Sequence, residues 1–153
     1  MTNYINDEYK ISINVPDNYA IVDKKHYTQL GLDSTSQKQT LFLFINPNSE
    51  EAESFNVTRD AKYSSDEEAL TKGVDANISN LQKQSAIITS KKRLIEKTGK
   101  IMIKVMATLE NVYINLLFVS IEGLLICVGY INQEQDEQKD IMFEKITNSI
   151  CKA

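Results

Sequence analysis

The sequence predicts an α+β fold in which an antiparallel sheet with a long C-terminal meander packs against two main helices. From residue 86 onward, apolar residues recur at every second position in four runs separated by short turns. Such turns make consecutive strands antiparallel neighbours. Two other segments space their apolar residues by three and four, as a helix with one buried face does. The chain has 153 residues, 42% of them hydrophobic, and lacks a Gly/Ser-rich linker, so we expect a single α+β domain over residues 1–153.

The N-terminal part is predicted to contain short strands separated by polar segments. Residues 9–15 form the opening strand, because Ile11, Ile13 and Val15 alternate with polar residues. Residues 19–22 are a short apolar run, and residues 23–39 are polar enough to predict a loop with little regular structure. Further strands are expected at residues 40–45 and 55–63, on either side of an acidic loop at residues 49–53.

The first helix is predicted over residues 65–84. Ser65 can accept a hydrogen bond from a free backbone N–H, and Glu68 stands at the capping-box position. One stripe of apolar side chains should then pack on the sheet: Leu70, Val74, Ile78 and Leu81.

The meander and a closing helix complete the predicted fold. The strands are expected at residues 86–96, with a kink near Ser90 and Lys91, and at residues 100–110, 112–120 and 124–131. The closing helix is predicted over residues 133–151, with Asn132 as its cap and with Ile146 and Ile150 buried.

The opening strand and the order of elements resemble a known family. Residues 11–19 read Ile-x-Ile-x-Val-Pro-Asp-x-Tyr, and strands, a capped helix, a meander and a C-terminal helix follow. This layout resembles the PsbP-like superfamily, which includes an extrinsic subunit of photosystem II and a nuclear-import factor that binds the Ran GTPase. The resemblance implies a domain that binds partners, because domains of this family mostly bind partners and are rarely enzymes. No residue of this sequence matches the family's photosystem-contacting or GTPase-contacting positions, so none is assigned from it.

Composition and residue spacing argue against several function classes. The net charge of −4 does not favour nucleic-acid binding, and no apolar run reaches the ~18 residues of a membrane span. His26 is the only histidine, and Cys127 and Cys151 are far apart, so they give no zinc spacing. The acidic clusters at residues 50–53 and 66–68 lack the glycine of a calcium loop. We therefore predict no catalytic residue, no metal, no cofactor and no enzyme activity.

The most distinctive feature is a basic hairpin. Seven basic residues and one acidic residue lie between Lys83 and Lys104, in a chain that is acidic as a whole. One interpretation is that lysines on an exposed strand prevent edge-to-edge pairing. The other is a docking face for an acidic protein, an anionic lipid surface or a polyanion, carried by these residues: Lys91, Lys92, Arg93, Lys97 and Lys100.

The leading functional prediction is a small, soluble, non-catalytic bacterial accessory domain that acts through protein–protein contact. The bacterial origin is favoured by abundant Ile, Asn and Lys, which AT-rich genomes encode. The alternative is a small-molecule site between sheet and helices, lined by Tyr113, Phe118 and Tyr130. The polar, acidic start of the chain favours a cytoplasmic location, and an exported protein whose signal has been removed is the alternative.

Overall fold

The secondary structure is taken from a computed structural model that describes residues 1–51 and 53–153. The strands are β1 (Thr2–Asn6), β2 (Ile11–Val15), β3 (Ala20–Ile21), β4 (Thr40–Ile45), β5 (Ser54–Lys62), β6 (Ile87–Ile95), β7 (Ile101–Leu109), β8 (Val112–Ile121), β9 (Leu124–Asn132) and β10 (Cys151–Lys152). The helices are α1 (Ser34–Gln39), α2 (Asp66–Glu68), α3 (Val74–Lys83) and α4 (Glu137–Asn148). A 3₁₀ turn lies at Lys24–His26, and a π-helical segment at Ala69–Gly73 joins α2 to α3.

The elements form three layers around a seven-stranded antiparallel sheet. Its strand order is β3-β4-β5-β9-β8-β7-β6, and a second sheet has the order β1-β2-β10. The small sheet and α4 pack on one face of the large sheet, whereas the segment from α2 to α3 crosses the other face. The predicted α+β class, the antiparallel sheet and the two main helices are confirmed.

The larger core lies between the seven-stranded sheet and the layer made of α4 and the small sheet. Phe55 joins its parts, because its ring lies 4.9 Å from that of Phe44 and 5.0 Å from that of Phe143 on α4. Ile146 and Ile150 are fully buried in this core, as predicted. This face of the sheet is covered along most of its width, and it supplies most of the hydrophobic stabilisation.

The smaller core lies under the segment from α2 to α3, and the π-helical turn adjusts how the helix meets the sheet. Ser65 caps the helix as predicted, since its side chain accepts a hydrogen bond from the Glu68 backbone N–H. An added Cβ on Gly73 would lie 2.4 Å from Leu125 Cδ2, so the helix approaches the sheet closely at that position.

The predicted apolar stripe of this helix is only partly correct. Val74 is fully buried, but Leu70, Ile78 and Leu81 are half-buried. The extra residue in the π-helical turn rotates the following turns, and Ala69 and Gly73 become the buried positions beside Val74.

The C-terminal meander matches its prediction closely. The strand register of β6 and β7 shifts between Ile88 and Ser90, where a kink was expected. At the β8–β9 turn, Glu122 and Gly123 have φ of 52° and 78°, and the Gly123 N–H donates to Asp66 Oδ1 at 2.6 Å. This bond fixes the start of the long helix to the end of the meander.

Several predicted boundaries were wrong, and each error has a physical cause. Thr2–Asn6 was read as a polar start, but it pairs with β2 and buries only Asn6 fully, so its apolar pattern is faint. Residues 23–39 are not all loop, because Asp33 caps the short helix α1, which contains no buried residue. The closing helix is capped by Asp136 and not by Asn132, which ends β9.

Candidate functional site

Among the described residues, no helix covers one corner of the seven-stranded sheet. The segment from α2 to α3 starts beside the β8–β9 turn, where the Ser120 hydroxyl donates to Asp66 Oδ1 at 2.8 Å, and ends over β6 and β7. It therefore crosses the sheet diagonally. The face formed by β4, β5, the end of β9 and the start of β8 lies beyond it, and we call this region the open corner.

The floor of the open corner is largely apolar. Four residues are successive cross-strand neighbours on β4, β5, β9 and β8: Leu43, Asn56, Gly129 and Leu116. These residues therefore lie on the same face of the sheet. Ile131 pairs with Ile114 one step further along and is 59% exposed. The groove above this floor has a volume of about 890 Å³. It is a shallow surface suited to a chain segment rather than an enclosed cavity.

The rim of the open corner is acidic. It is formed by the β4–β5 loop and the segment leading into α4, which contribute the following carboxylates: Glu51, Glu53, Glu134, Asp136 and Glu137. Lys139 also lies on the rim, but its Nζ pairs with Glu53 Oε1 at 2.8 Å. The Tyr19 hydroxyl donates to Glu53 Oε2 at 3.3 Å, and burial, followed by the Glu53 charge, raises the pKa of Tyr19. A positively charged group would be attracted to this rim.

A buried polar cluster holds α4 on the sheet next to this rim. Lys104, on β7, is only 8% exposed, and its Nζ lies 3.2 Å from Glu144 Oε1 and 3.9 Å from Asp140 Oδ2. The Tyr130 hydroxyl on β9 donates to Asp140. Burial, followed by that hydrogen bond, raises the pKa of Tyr130. Because these charged groups satisfy one another, the cluster connects the helix to the sheet.

The basic hairpin does not present its five predicted residues on one face. Lys91 lies on the α3 side, where its Nζ pairs with Asp75 at 3.0 Å. Lys92 pairs across the strands with Lys104 and therefore lies on the opposite side. The Lys100 Nζ donates to the carbonyl oxygens of Asn148 and Ile150, and burial lowers its pKa.

Strand alternation causes this division, because neighbouring residues of β6 point to opposite faces. Arg93 lies on the side of Lys91, and Lys97 lies in the hairpin turn. The convergence that a single docking face requires is therefore absent. A binding role for the exposed Lys92, Arg93 and Lys97 stays a prediction.

The aromatic residues predicted to line one pocket are also divided between the two faces. Phe118 is fully buried in the smaller core, whereas Tyr130 belongs to the larger one. Tyr113 pairs with Asn132 on the Tyr130 side of the sheet. The three side chains therefore do not line one pocket, and that expectation was wrong.

The remaining candidate groups lie apart from one another. His26 is exposed, and its Nδ1 lies 3.2 Å from Gln29 Oε1. Burial raises the pKa of the Cys127 thiol to about 12, while Cys151 is exposed on the opposite layer. Within residues 1–51 and 53–153, no group of three or more His, Cys, Asp or Glu side chains is placed to hold a metal ion. Over the same residues, no helix is long and apolar enough to cross a membrane.

Sequence reasoning missed the open corner and the polar cluster. Lys104 could have been noticed, because it interrupts the apolar sequence Ile103-Lys104-Val105, while Asp140 and Glu144 are spaced by four on the closing helix. The open corner has no comparable signal. Ile114 and Ile131 follow the same alternation as the covered residues of their strands, and only the path of the long helix leaves Ile114 half-buried and Ile131 exposed.

Comparisons with known proteins give the fold. No protein-family model matches the sequence, and neither does any curated protein. The solution structure of cyanobacterial PsbP (CyanoP) from Synechocystis sp. PCC 6803 is similar, with a TM-score of 0.68 and 12% identity over 97% of this chain and 90% of that one. The Saccharomyces cerevisiae Ran-binding protein Mog1p gives a TM-score of 0.58 and 12% identity over 97% and 93% of the two chains. A Bacteroides thetaiotaomicron protein gives 0.52 and 14% identity, over 97% of this chain and 47% of that one. With its strand order, its diagonal helix and its closing helix, the chain has a PsbP-like fold.

Proposed function

We propose that the protein is a small, non-catalytic binding domain that docks a partner protein on the open corner of its sheet. The partner presents a segment that is apolar on one side and carries Lys or Arg at its margins. The observation that carries the proposal is the apolar floor of Leu43, Ile114, Leu116 and Ile131 inside a rim of carboxylates.

The apolar floor supplies the affinity in this proposal. Ile131 lies on the central strand β9, on the face that the long helix covers elsewhere. It is nevertheless 59% exposed, and it stands beside Ile114. Burying apolar area yields about 25 cal/mol per Å². Aliphatic side chains that meet across neighbouring strands form a continuous surface, which a partner can desolvate at one time.

The charge of the rim selects the partner. Five carboxylates line the groove, and its only described cation, Lys139, is already paired with Glu53. Rim charges mainly accelerate association with a complementary surface, and salt screens them over ~8 Å at physiological ionic strength. A basic segment fits this rim, whereas an acidic partner would be repelled.

The scaffold is compatible with such a role. One similar structure is that of a protein described as Ran-binding, so this fold can serve protein recognition elsewhere. Its partner is not transferred to this chain, because the two sequences are only 12% identical. The support here comes from the open corner itself.

The test uses a photo-activated cross-linking amino acid at position 131, with position 93 on the basic hairpin as the matched control. We expect one partner protein to be captured from native extract at position 131 and not at 93. Affinity is then measured with the purified partner. Ile131→Asp should weaken binding by about 30-fold or more, as for a central hot-spot residue.

Charge variants distinguish the two candidate surfaces. Glu134→Lys combined with Glu137→Lys should slow association several-fold, with a smaller effect on dissociation. The pair Lys92→Glu and Arg93→Glu should leave both rates unchanged. If the hairpin pair abolishes binding while Ile131→Asp does not, or if a metabolite co-purifies in place of a protein, the open corner is not the functional site.

A further inference from the structure

A second groove lies at the junction of the small sheet with α1. It has a volume of about 790 Å³ and is bordered by the β1–β2 turn, the 3₁₀ turn, α1 and β5. Arg59 of β5, Lys24 and Lys38 all line it. The open corner shares no lining residue with this groove, so its chemistry is independent of the proposed docking function.

Arg59 is held in a fixed orientation. Its guanidinium carbon lies 4.4 Å from the centre of the Tyr9 ring, and its Nη2 donates to the Lys38 carbonyl oxygen at 3.1 Å. A cation stacked on an aromatic ring loses freedom and keeps its edge available for further hydrogen bonds. The stacked position therefore prepares the guanidinium edge for a ligand.

The hydrogen-bonding capacity of Arg59 is not satisfied within the described residues. Its Nε is buried and has no hydrogen-bond partner there, and no carboxylate of those residues lies within 4.0 Å of the guanidinium. A buried donor without a partner is costly, and more so on a charged group. Two acids line the groove, but Asp33 accepts from the Ser36 N–H as the cap of α1 and Glu8 is exposed.

We propose that this groove binds an oxyanion, a phosphate or carboxylate group of a small ligand, through Arg59. The planar guanidinium carries N–H donors in the parallel arrangement that carboxylate and phosphate oxygens match, and its Nη2 lies at the exposed end of the side chain, where it also donates to Lys38. Lys24 and Lys38 add positive charge at the mouth of the groove. Tyr27 is 3% exposed and also lines it, so the groove has one aromatic wall besides Tyr9.

The test observes the Arg59 Nε–H directly by two-dimensional NMR of the full chain. The sequence contains two arginines, so Arg93 serves as an internal control in the same spectrum. Inorganic phosphate and acetate are titrated separately against sodium chloride at matched ionic strength. We expect the Arg59 Nε–H signal to shift and saturate with at least one of them, while the Arg93 signal stays in place.

Variants establish that the site is built by these side chains. Arg59→Lys keeps the charge but loses the parallel N–H donors of the guanidinium, and it should weaken binding by about tenfold or more. Lys24→Gln, on an exposed turn, should weaken anion binding two- to fivefold without affecting the fold. This variant therefore remains informative if Arg59 variants fold poorly.

The two probes also separate the ligand classes. Saturation by phosphate alone identifies a phosphate site, and saturation by both shows that a carboxylate suffices. Shifts of both arginine signals that grow linearly without saturation show general screening and overturn the proposal, as does the absence of any shift.

Discussion

The covered and the open parts of one sheet face use the same strands and nearly the same residue types, yet they meet different surroundings. Phe118 on β8 is fully buried under the long helix, whereas Ile114, four residues earlier on the same face, lies in the open corner. On β9, Leu125 is buried and Ile131 is 59% exposed. The alternation of a strand therefore specifies which face a residue takes, but not whether anything covers that face.

The covered part of this face serves stability, whereas the open corner is available for recognition. Residues of the covered part are fixed by packing, and their replacement should damage the fold. Ile131, the most exposed aliphatic residue of the open corner, contributes little to folding, because more than half of its surface is already exposed in the folded chain. An aliphatic surface that folding does not require is available for a partner.

The largest effect is expected from truncating the covered part. Phe118→Ala should lower the free energy of unfolding by about 3–5 kcal/mol, because it leaves a cavity under the helix. Ile131→Ala, in the open corner, should change it by less than about 1 kcal/mol. Urea denaturation followed by circular dichroism measures both. Equal losses in the two variants would mean that the corner is part of the folding core.

A smaller difference in stability is expected between the alanine variants of two glycines, Gly73 and Gly129. Gly73→Ala places a Cβ 2.4 Å from Leu125 Cδ2 and should cost about 1–3 kcal/mol through overpacking, in spite of the better helix propensity of alanine. Gly129→Ala places its Cβ 2.7 Å from Asn56 Oδ1, the end of an exposed side chain that can rotate away. Its effect on the melting temperature should be near zero. A large loss for Gly129→Ala would show that the corner tolerates no added atoms.

The sequence was sufficient for the fold class because apolar residues recur at every second position in the strands and at every third or fourth position in the helices. The apolar alternation of β6 to β9 and the Ser65 cap indicated the meander and the long helix to within a few residues. The π-helical turn was not predictable, since it depends on how closely Gly73 can approach Leu125. The candidate site depends on that path too, so residue patterns alone gave no indication of the open corner.

Local patterns also failed where pairing is long-range. β10 is only Cys151–Lys152, and it exists because it pairs with β2, which lies at the other end of the sequence. Lys100 was read as part of a basic surface, but it donates to the carbonyl oxygens at the end of α4. Charge counts along a hairpin do not reveal such tertiary partners.

A pH titration examines the opposite face of the sheet, which α4 and the small sheet cover along most of its width. The pKa of Tyr130 in the folded protein lies above its ordinary value of 10.0, so the stabilisation from its hydroxyl is complete below pH 10 and is lost as the pH rises further. For one group, the slope is about 1.4 kcal/mol per pH unit. Tyr130→Phe should therefore be less stable than the wild type at pH 8, with the difference shrinking above pH 10. Parallel stability curves from pH 8 to 11.5 would contradict the proton-linked role of this contact.

The smallest effect is expected at the rim of the open corner. Lys139 and Glu53 connect the start of α4 to the β4–β5 loop at 2.8 Å, and both side chains retain some exposure to solvent. A double-mutant cycle with Lys139→Gln and Glu53→Gln should give a coupling energy of about 0.2–1 kcal/mol that decreases with added salt.

A weak coupling would leave Glu53 able to exchange Lys139 for a cation of the partner. The same two variants should then change the association rate with that partner in opposite directions: Lys139→Gln raises it, and Glu53→Gln lowers it. A coupling energy well above 1 kcal/mol, insensitive to salt, would instead show that the Lys139–Glu53 ion pair stabilises the fold and stays formed when a partner binds. The charges that attract a partner would then be Glu51, Glu134 and Glu137.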